Sequence, residues 1–306
     1  MNEFDLIRRY FDAPPDDPDV IVGVGDDGAL IRPTPGKEQV HVIDTLVEGV
    51  HFPGDGNPAD IGYRVVAVNL SDIAAMGAYP RFMTLALSLP PKEESWVAAF
   101  ADGLFAAAAE HGVALIGGDT TSGDAVVVTV HMIGEVDVGS AILRGGAKVG
   151  DTIYVTGTFG DAAAALKLHG DGLYDDFLMR RFWRPEARVE TGLRLVGRAT
   201  AAIDVSDGLL GDLNKLLQAS EVGAVVDIGR VPLSDALRSR FDIAGQHRLA
   251  LTGGDDYELC FTVDGAELPN NLNCTAIGEI TATGELQCRL DGAVVDFDSS
   301  GYRHFS

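Results

Sequence analysis

Residues 23–36 read Gly23-Val24-Gly25-Asp26-Asp27-Gly28-Ala29-Leu30-Ile31-Arg32-Pro33-Thr34-Pro35-Gly36, and whether a helix follows the glycines decides the fold. The first six residues fit the dinucleotide pattern G-x-G-x-x-G, and Asp44 follows at a distance resembling its ribose-binding acid. A true fingerprint opens a helix whose N-terminus faces a pyrophosphate. Here Ala29-Leu30-Ile31 runs straight into Arg32-Pro33-Thr34-Pro35-Gly36, where each proline removes an amide donor and clashes with a preceding turn. Asp26 and Asp27 would also repel a pyrophosphate directly. Through a divalent cation the sign reverses and the same carboxylates attract phosphate. The stretch therefore predicts a metal-directed turn, with a plain turn pair as the competing reading.

Working outward, the same chemistry recurs in Ile43-Asp44-Thr45, Ser71-Asp72, Gly118-Asp119-Thr120, Asp204-Val205-Ser206-Asp207 and Gly253-Gly254-Asp255-Asp256. Each aspartate stands where an apolar run ends or a turn begins. Short carboxylates beside glycine suit hard cations such as Mg²⁺, which in turn hold phosphates. Asp72 lies in Val65–Met76, a helix apolar nearly all round and hence buried, where an unpaired carboxylate is costly. Asn69, one turn earlier, shares its face. A structural aspartate is the alternative, although its place near the helix C-terminus opposes the helix dipole. Gly117-Gly118-Asp119-Thr120-Thr121 follows the strand-like run Val113–Ile116, and ligands collect at such strand ends. Asp204–Gly208 precedes a helix carrying Leu209, Leu213, Leu216 and Leu217, whose free N–H groups are expected to hold a phosphate oxygen. A capping role for Ser206 or Asp207 competes, and it leaves Asp204 unexplained. Of seven histidines, none at zinc spacing, His51 is kept as a candidate, because it follows Asp44 closely in a Gly49-Val50-His51-Phe52 segment expected near the same strand end. Neither a P-loop nor the protein-kinase motif set occurs, so nucleotide chemistry would rely on metal.

The 306 residues, 46% hydrophobic, suffice for two domains with proper cores. A formal charge of −23 argues against nucleic acid or an anionic membrane as partner. Cys260, Cys274 and Cys288 are too widely spaced for a metal clip and read as reduced thiols. Without an export signal or an apolar run of membrane-spanning length, a cytoplasmic protein is expected. The pattern predicts a short opening helix and then strands at 20–24, 40–43, 82–89, 113–116 and 125–136. Interleaved helices start after the N-cap Asn57 and around Trp96. Gly139–Gly150, rich in glycine, marks the boundary between domains 1–138 and 139–306. The second domain predicts a strand at 152–156, helices from Asp161, before Arg184 and over 189–199, then strands at 224–228, 258–263 and 274–280. A hairpin turning at Asp291-Gly292 closes it.

The ordered motifs Gly-Val-Gly-Asp-Asp, Ile-Asp-Thr-Leu-Val-Glu-Gly-Val-His-Phe, Asn-Leu-Ser-Asp-Ile-Ala-Ala-Met-Gly-Ala, Ile-Gly-Gly-Asp-Thr-Thr, Asp-Val-Ser-Asp-Gly-Leu and Gly-Gly-Asp-Asp-Tyr-Glu-Leu resemble the thiamine-monophosphate kinase family over essentially the whole chain. The Gly301-Tyr302 ending is similar too. That family belongs to the aminoimidazole-ribonucleotide-synthetase-like ATP-binding superfamily. The resemblance implies an α/β (α+β) two-domain fold, a homodimer formed through the N-terminal sheets, and ATP bound through several Mg²⁺ ions. It further implies metal ligation by Asp27, Asp44, Asp72, Asp119, Asp204 and Asp207, and ATP contact by Gly118, Asp119, Arg144 and Ser206. His51, Asp255 and Tyr302 would face thiamine monophosphate. Asp44, Asp119, Asp207 and Arg144 would manage charge, with no general base. Val42 and Ile43 stand where hydroxyl residues are usual, so an Ile43 metal contact would use its carbonyl. Asp255 replaces the usual glutamate and reaches one methylene less. Asp26 and Asp256 are left as turn residues. Sister enzymes making aminoimidazole ribonucleotide or selenophosphate, or maturing hydrogenases, are the nearest alternatives. The last two are disfavoured, since no Cys-Lys pair accompanies the N-terminal glycine loop and the chain ends without cysteine. A non-catalytic nucleotide- or cation-binding protein is the alternative of another class.

Overall fold

A computed structural model describes residues 3–12, 17–265, 268, 272–297 and 301. The chain forms two compact units, residues 1–73 with 78–139, and residues 74–77 with 140–306.

In the first unit, α1 (Glu3–Tyr10) precedes a two-stranded hairpin of β1 (Val20–Val22) and β2 (Leu30–Ile31). The glycine-aspartate stretch is the connection of that hairpin, and no helix follows it. β3 (Lys37–Val47), α2 (Pro58–Ala75), β4 (Tyr79–Leu89), α3 (Glu94–Glu110), β5 (Ala114–Ser122) and β6 (Val127–Asp137) come next. The sheet runs β3-β6-β4-β5, antiparallel except for the parallel β4–β5 pair. Asn57 caps α2 as expected, its side-chain oxygen accepting the Ala59 N–H at 2.9 Å. Alternation gives the sheet two unlike faces. The row Asp44–Val130–Leu85–Gly118 belongs to the face packed on α2, where Ile73 lies against Gly134. The adjacent row Thr45–Thr129–Ala86–Asp119 belongs to the other face. The β1–β2 hairpin covers one end of that second face, packing Val20 and Ile31 on Phe82, Ile116 and Ile133.

Two glycines let α2 and α3 cross with their backbones in contact. A Cβ on Gly103 would fall 1.8 Å from the Ala59 carbonyl oxygen, and one on Gly62 2.1 Å from that of Phe100. Residues 117–121, expected just past a strand, instead lie inside β5, which continues to Ser122. Gly118 permits this: its Cβ would meet the Leu85 carbonyl oxygen at 2.1 Å.

The second unit contains β7 (Thr152–Thr156), α4 (Asp161–Gly170), α5 (Asp176–Trp183), α6 (Val189–Leu195), β8 (Ala199–Val205), α7 (Leu209–Ser220) and β9 (Gly223–Asp227). Then follow α8 (Asp235–Arg240), α9 (Ile243–Thr252), β10 (Glu258–Val263), β11 (Cys274–Thr281), β12 (Leu286–Leu290) and β13 (Ala293–Val295). Its seven-stranded sheet has the order β13-β12-β9-β11-β7-β10-β8, antiparallel apart from β9–β12. The helix expected over 189–199 stops at Leu195, and Ala199 already starts β8, because its neighbours Ala201 and Ile203 are needed in the sheet core. The final turn has Asp291 and Gly292 at φ 50° and 82°, the primed-turn geometry its sequence predicts.

Candidate functional site

In the second unit the antiparallel pairing of β8 with β10 brings the end of one strand beside the start of the other, with Asp204 opposite Leu259 and Val205 opposite Glu258. Both aspartate-rich segments therefore meet at one sheet end. The Asp255 N–H donates to the Ser206 carbonyl at 2.8 Å, and the Tyr257 N–H to that of Val205 at 2.8 Å. Gly254 allows the approach, since a Cβ there would lie 2.5 Å from the Ser206 oxygen. Asp255 and Tyr257 both take left-handed backbone conformations, φ 72° and 51°, and the Tyr257 hydroxyl donates to Asp255 at 3.3 Å. Non-glycine residues held this way persist only where their surroundings over-determine them. Gly301 lies 3.4 Å, measured from a notional Cβ, from the Asp207 carbonyl oxygen. Gly301 thus sits against the Asp207 loop, while Tyr302 lies outside the described residues.

Sequence reasoning missed the grip on this loop. Asp212, 1% exposed, accepts the N–H groups of Ser206 and Asp207 through one oxygen at 2.9 and 2.8 Å. Lys215 then bridges Asp207 and Asp212 at 2.6 and 2.7 Å. These two amides, which precede α7 and its N-cap Gly208, are therefore committed within the protein. The i,i+3 spacing of Asp212 and Lys215 was the available signal. Arg144 is placed elsewhere: its carbonyl accepts from Ser220 Oγ at 3.1 Å, at the far end of α7. The 12-residue helix spans about 18 Å, so Lys215 and not Arg144 is the cation beside Asp207 in this unit. Asp256, expected as a turn residue, is 1% exposed and accepts the Gly160 N–H at 2.8 Å; burial pushes its carboxyl well above the usual range. Behind it Glu258, fully buried, is held by Arg181, Arg188 and Thr156 at 2.6–2.8 Å.

In the first unit Asp27 is exposed in the hairpin connection, its N–H donating to Asp26 at 2.8 Å. Arg81 secures that hairpin, reaching Asp17, Asp19, Thr34 and the 6%-exposed Glu135. Asp44 and Asp119 lie on adjacent rows and so on opposite sheet faces, while the Ile43 side chain, 64% exposed, points to the same side as Asp119. The His51 Nδ1 accepts the Val47 N–H at 3.0 Å. That bond leaves the proton of the neutral ring on Nε2. Asp72 is half-buried on α2, and the neighbouring Asn69 donates to the Val65 carbonyl at 2.9 Å while its own carbonyl oxygen, fully buried, has no partner.

Among the described residues no three acidic, histidine or cysteine side chains already stand together as a metal cluster. The carboxylates nonetheless fit Mg²⁺ in kind: they are hard oxygen donors, with Asp27 and Asp119 exposed and Asp207 balanced by a lysine. Thiols play no part, since all three cysteines are free and burial pushes Cys260 up to about 12 and Cys274 to about 11.

Residues 25–136 match the N-terminal domain of AIR synthase related proteins, and residues 148–291 match their C-terminal domain. The fold and the aspartate-lined loops thus define a two-domain AIR-synthase-like protein, as the motif resemblance implies. A thiamine-monophosphate kinase of Escherichia coli K12 is 44% identical over 321 residues, covering 99% of this chain and 98% of the relative. The crystal structure of thiamine-monophosphate kinase from Stenotrophomonas maltophilia K279a superposes with a TM-score of 0.86 at 43% identity, covering 96% and 98% of the two chains. A solved complex, AaThiL with AMPPCP and TMP, matches with a TM-score of 0.82 at 30% identity over 99% of this chain and 96% of that one. The chain belongs to the thiamine-monophosphate kinase family.

Proposed function

We infer that the chain transfers the γ-phosphoryl group of ATP to the phosphate of thiamine monophosphate, giving ADP and thiamine diphosphate. The observation that carries this is the joined sheet end of the second unit, where the Val205 and Ser206 carbonyls on one side accept the Tyr257 and Asp255 N–H groups on the other. Nucleotide-side and acceptor-side residues are thereby fixed against each other at backbone precision. The AMPPCP and TMP complex of AaThiL supports two phosphate ligands of these kinds.

An acceptor phosphate oxygen attacks the γ-phosphorus while the bond to the β-phosphate oxygen breaks, and the proton inventory needs no base, because a phosphomonoester's second pKa is about 6. The barrier is electrostatic, so the work falls to positioning and charge neutralisation. Bound Mg²⁺ would neutralise phosphate charge and orient it, held by Asp27, Asp44, Asp72, Asp119, Asp204, Asp207 and the Ile43 carbonyl. Ser206 orients a phosphate oxygen and is joined on the nucleotide side by Gly118 and Arg144, the latter away from Asp207. His51, Asp255 and Tyr302 would face the acceptor, and the Tyr257 hydroxyl holds the Asp255 carboxylate. The face bearing Thr45, Thr129 and His131 is open in one chain, and a second copy would cover it, giving a homodimer. The enzyme would act in the cytoplasm.

The test is a coupled ADP-release assay. Mg²⁺-dependent turnover with thiamine monophosphate is expected, abolished by EDTA and restored by Mg²⁺. ATP turnover that ignores thiamine monophosphate would overturn the reading, and titration calorimetry showing ATP binding alone would return the protein to the non-catalytic class.

A further inference from the structure

We propose that Asp212 and Lys215 are positioning residues that set the Ser206–Asp207 loop for both substrates at once. Asp212 is buried to 1% exposure and gives its two oxygens different tasks. One oxygen gathers the N–H groups of Ser206 and Asp207; the other takes the Lys215 ammonium. Charge-assisted bonds of this kind are the strong ones, and the burial of Asp212 keeps water from competing for them. Lys215 in turn fixes the Asp207 carboxylate at 2.6 Å, so one carboxylate orients the loop backbone directly and its end side chain through the lysine.

Ser206 is held from its other side as well, because its carbonyl accepts the Asp255 N–H at 2.8 Å. A shift of Ser206 therefore moves the Asp255 segment, whose left-handed residues leave it little freedom to absorb the change. Asp212 and Lys215 do not reach the reacting atoms in this scheme. Asp212 governs the spacing between nucleotide and acceptor loops, and Lys215 governs the direction of Asp207. A misplacement of about 1 Å in such an arrangement costs on the order of a hundredfold in rate.

The inference rests on the kinase reading, and the experiment separates the two. Hydrogen-exchange mass spectrometry of residues 206–207 reads the loop without turnover, and steady-state kinetics with each substrate varied reads its effect. Asp212→Ala should release both amides to exchange and raise KM for ATP and for thiamine monophosphate alike, by about tenfold or more. Asp212→Asn keeps a carbonyl for the two amides but turns its NH₂ toward the lysine. It should preserve protection and both KM values while lowering kcat about tenfold, as should Lys215→Met. Lys215→Arg should restore kcat. If Asp212→Ala does not fold, Asp212→Asn and the lysine pair carry the test alone. A rise confined to the ATP KM in Asp212→Ala, or kcat within about twofold of wild type in both Lys215→Met and Asp212→Asn, overturns the proposal. Wild-type protein with protected amides but no ADP release would instead sink the kinase reading.

Discussion

Asp72 shows how one carboxylate can be expensive to the fold and still retained. It sits on a helix whose other residues are almost all buried, beside Asn69 with its unpartnered carbonyl oxygen. Asp72→Asn should therefore remove turnover by at least about a hundredfold while shifting Tm by only about 2 °C, measured by ADP release and calorimetry. A large Tm fall would mark the residue as structural. His41 and His131 give a pH-dependent counterpart. Their rings stack with centroids 5.2 Å apart, and Nδ1 of one lies 3.0 Å from Nε2 of the other. Burial first, and His41 second, hold His131 below its ordinary value. As pH falls through about 6.5 the unfolded chain takes up the proton before the folded one, so stability is complete above that pH and lost below it. His131→Gln should flatten the Tm fall between pH 7 and pH 5; an unchanged slope refutes the assignment. At this scale the aspartate motifs stand out in the sequence, because short carboxylates beside glycine carry a chemical signature on their own. The structure brings two of them, Asp204–Asp207 and Asp255–Asp256, to one sheet end. Asp212 does not stand out, since a leucine-rich helix disguises one acid as an ordinary solvated residue.

Elements were legible where periodicity and punctuation agreed, as in the Asn57 cap and the Asp291-Gly292 turn. They were misread where glycine served contact instead of termination. Gly117 and Gly118 look like a strand end, yet they sit inside β5, where the neighbouring strand takes the space of the Cβ that Gly118 lacks. Gly62 and Gly103 carry no sequence mark at all, although they bring α2 and α3 into backbone contact. Gly103→Ala should force the helices apart and lower Tm by about 5 °C or more, read by thermal unfolding. A neutral result would mean that the crossing tolerates repacking.

For the molecule as a whole, the alternating strand and helix patterns indicate two α/β units, whereas the inclusion of residues 74–77 in the second unit carries no mark in the sequence. What the sequence could not show was which sheet face stays open, since alternation alone does not say what covers each side. Ile43 on that face is 64% exposed. Thr129→Arg, at its centre, should convert a dimer to a monomer in light scattering at micromolar concentration; an unchanged mass would remove this face as the interface. The path of the chain has a separate effect. Residues 74–77 belong to the second unit, where the Met76 carbonyl accepts the Ile142 N–H at 3.0 Å and Gly77 packs against Val196. A fragment of residues 140–306 should accordingly be insoluble or bind a hydrophobic dye until residues 1–139 are supplied, and soluble, dye-silent behaviour would contradict this. Gene duplication or recombination at the apparent linker would then not release a working half, so these two units must be inherited together.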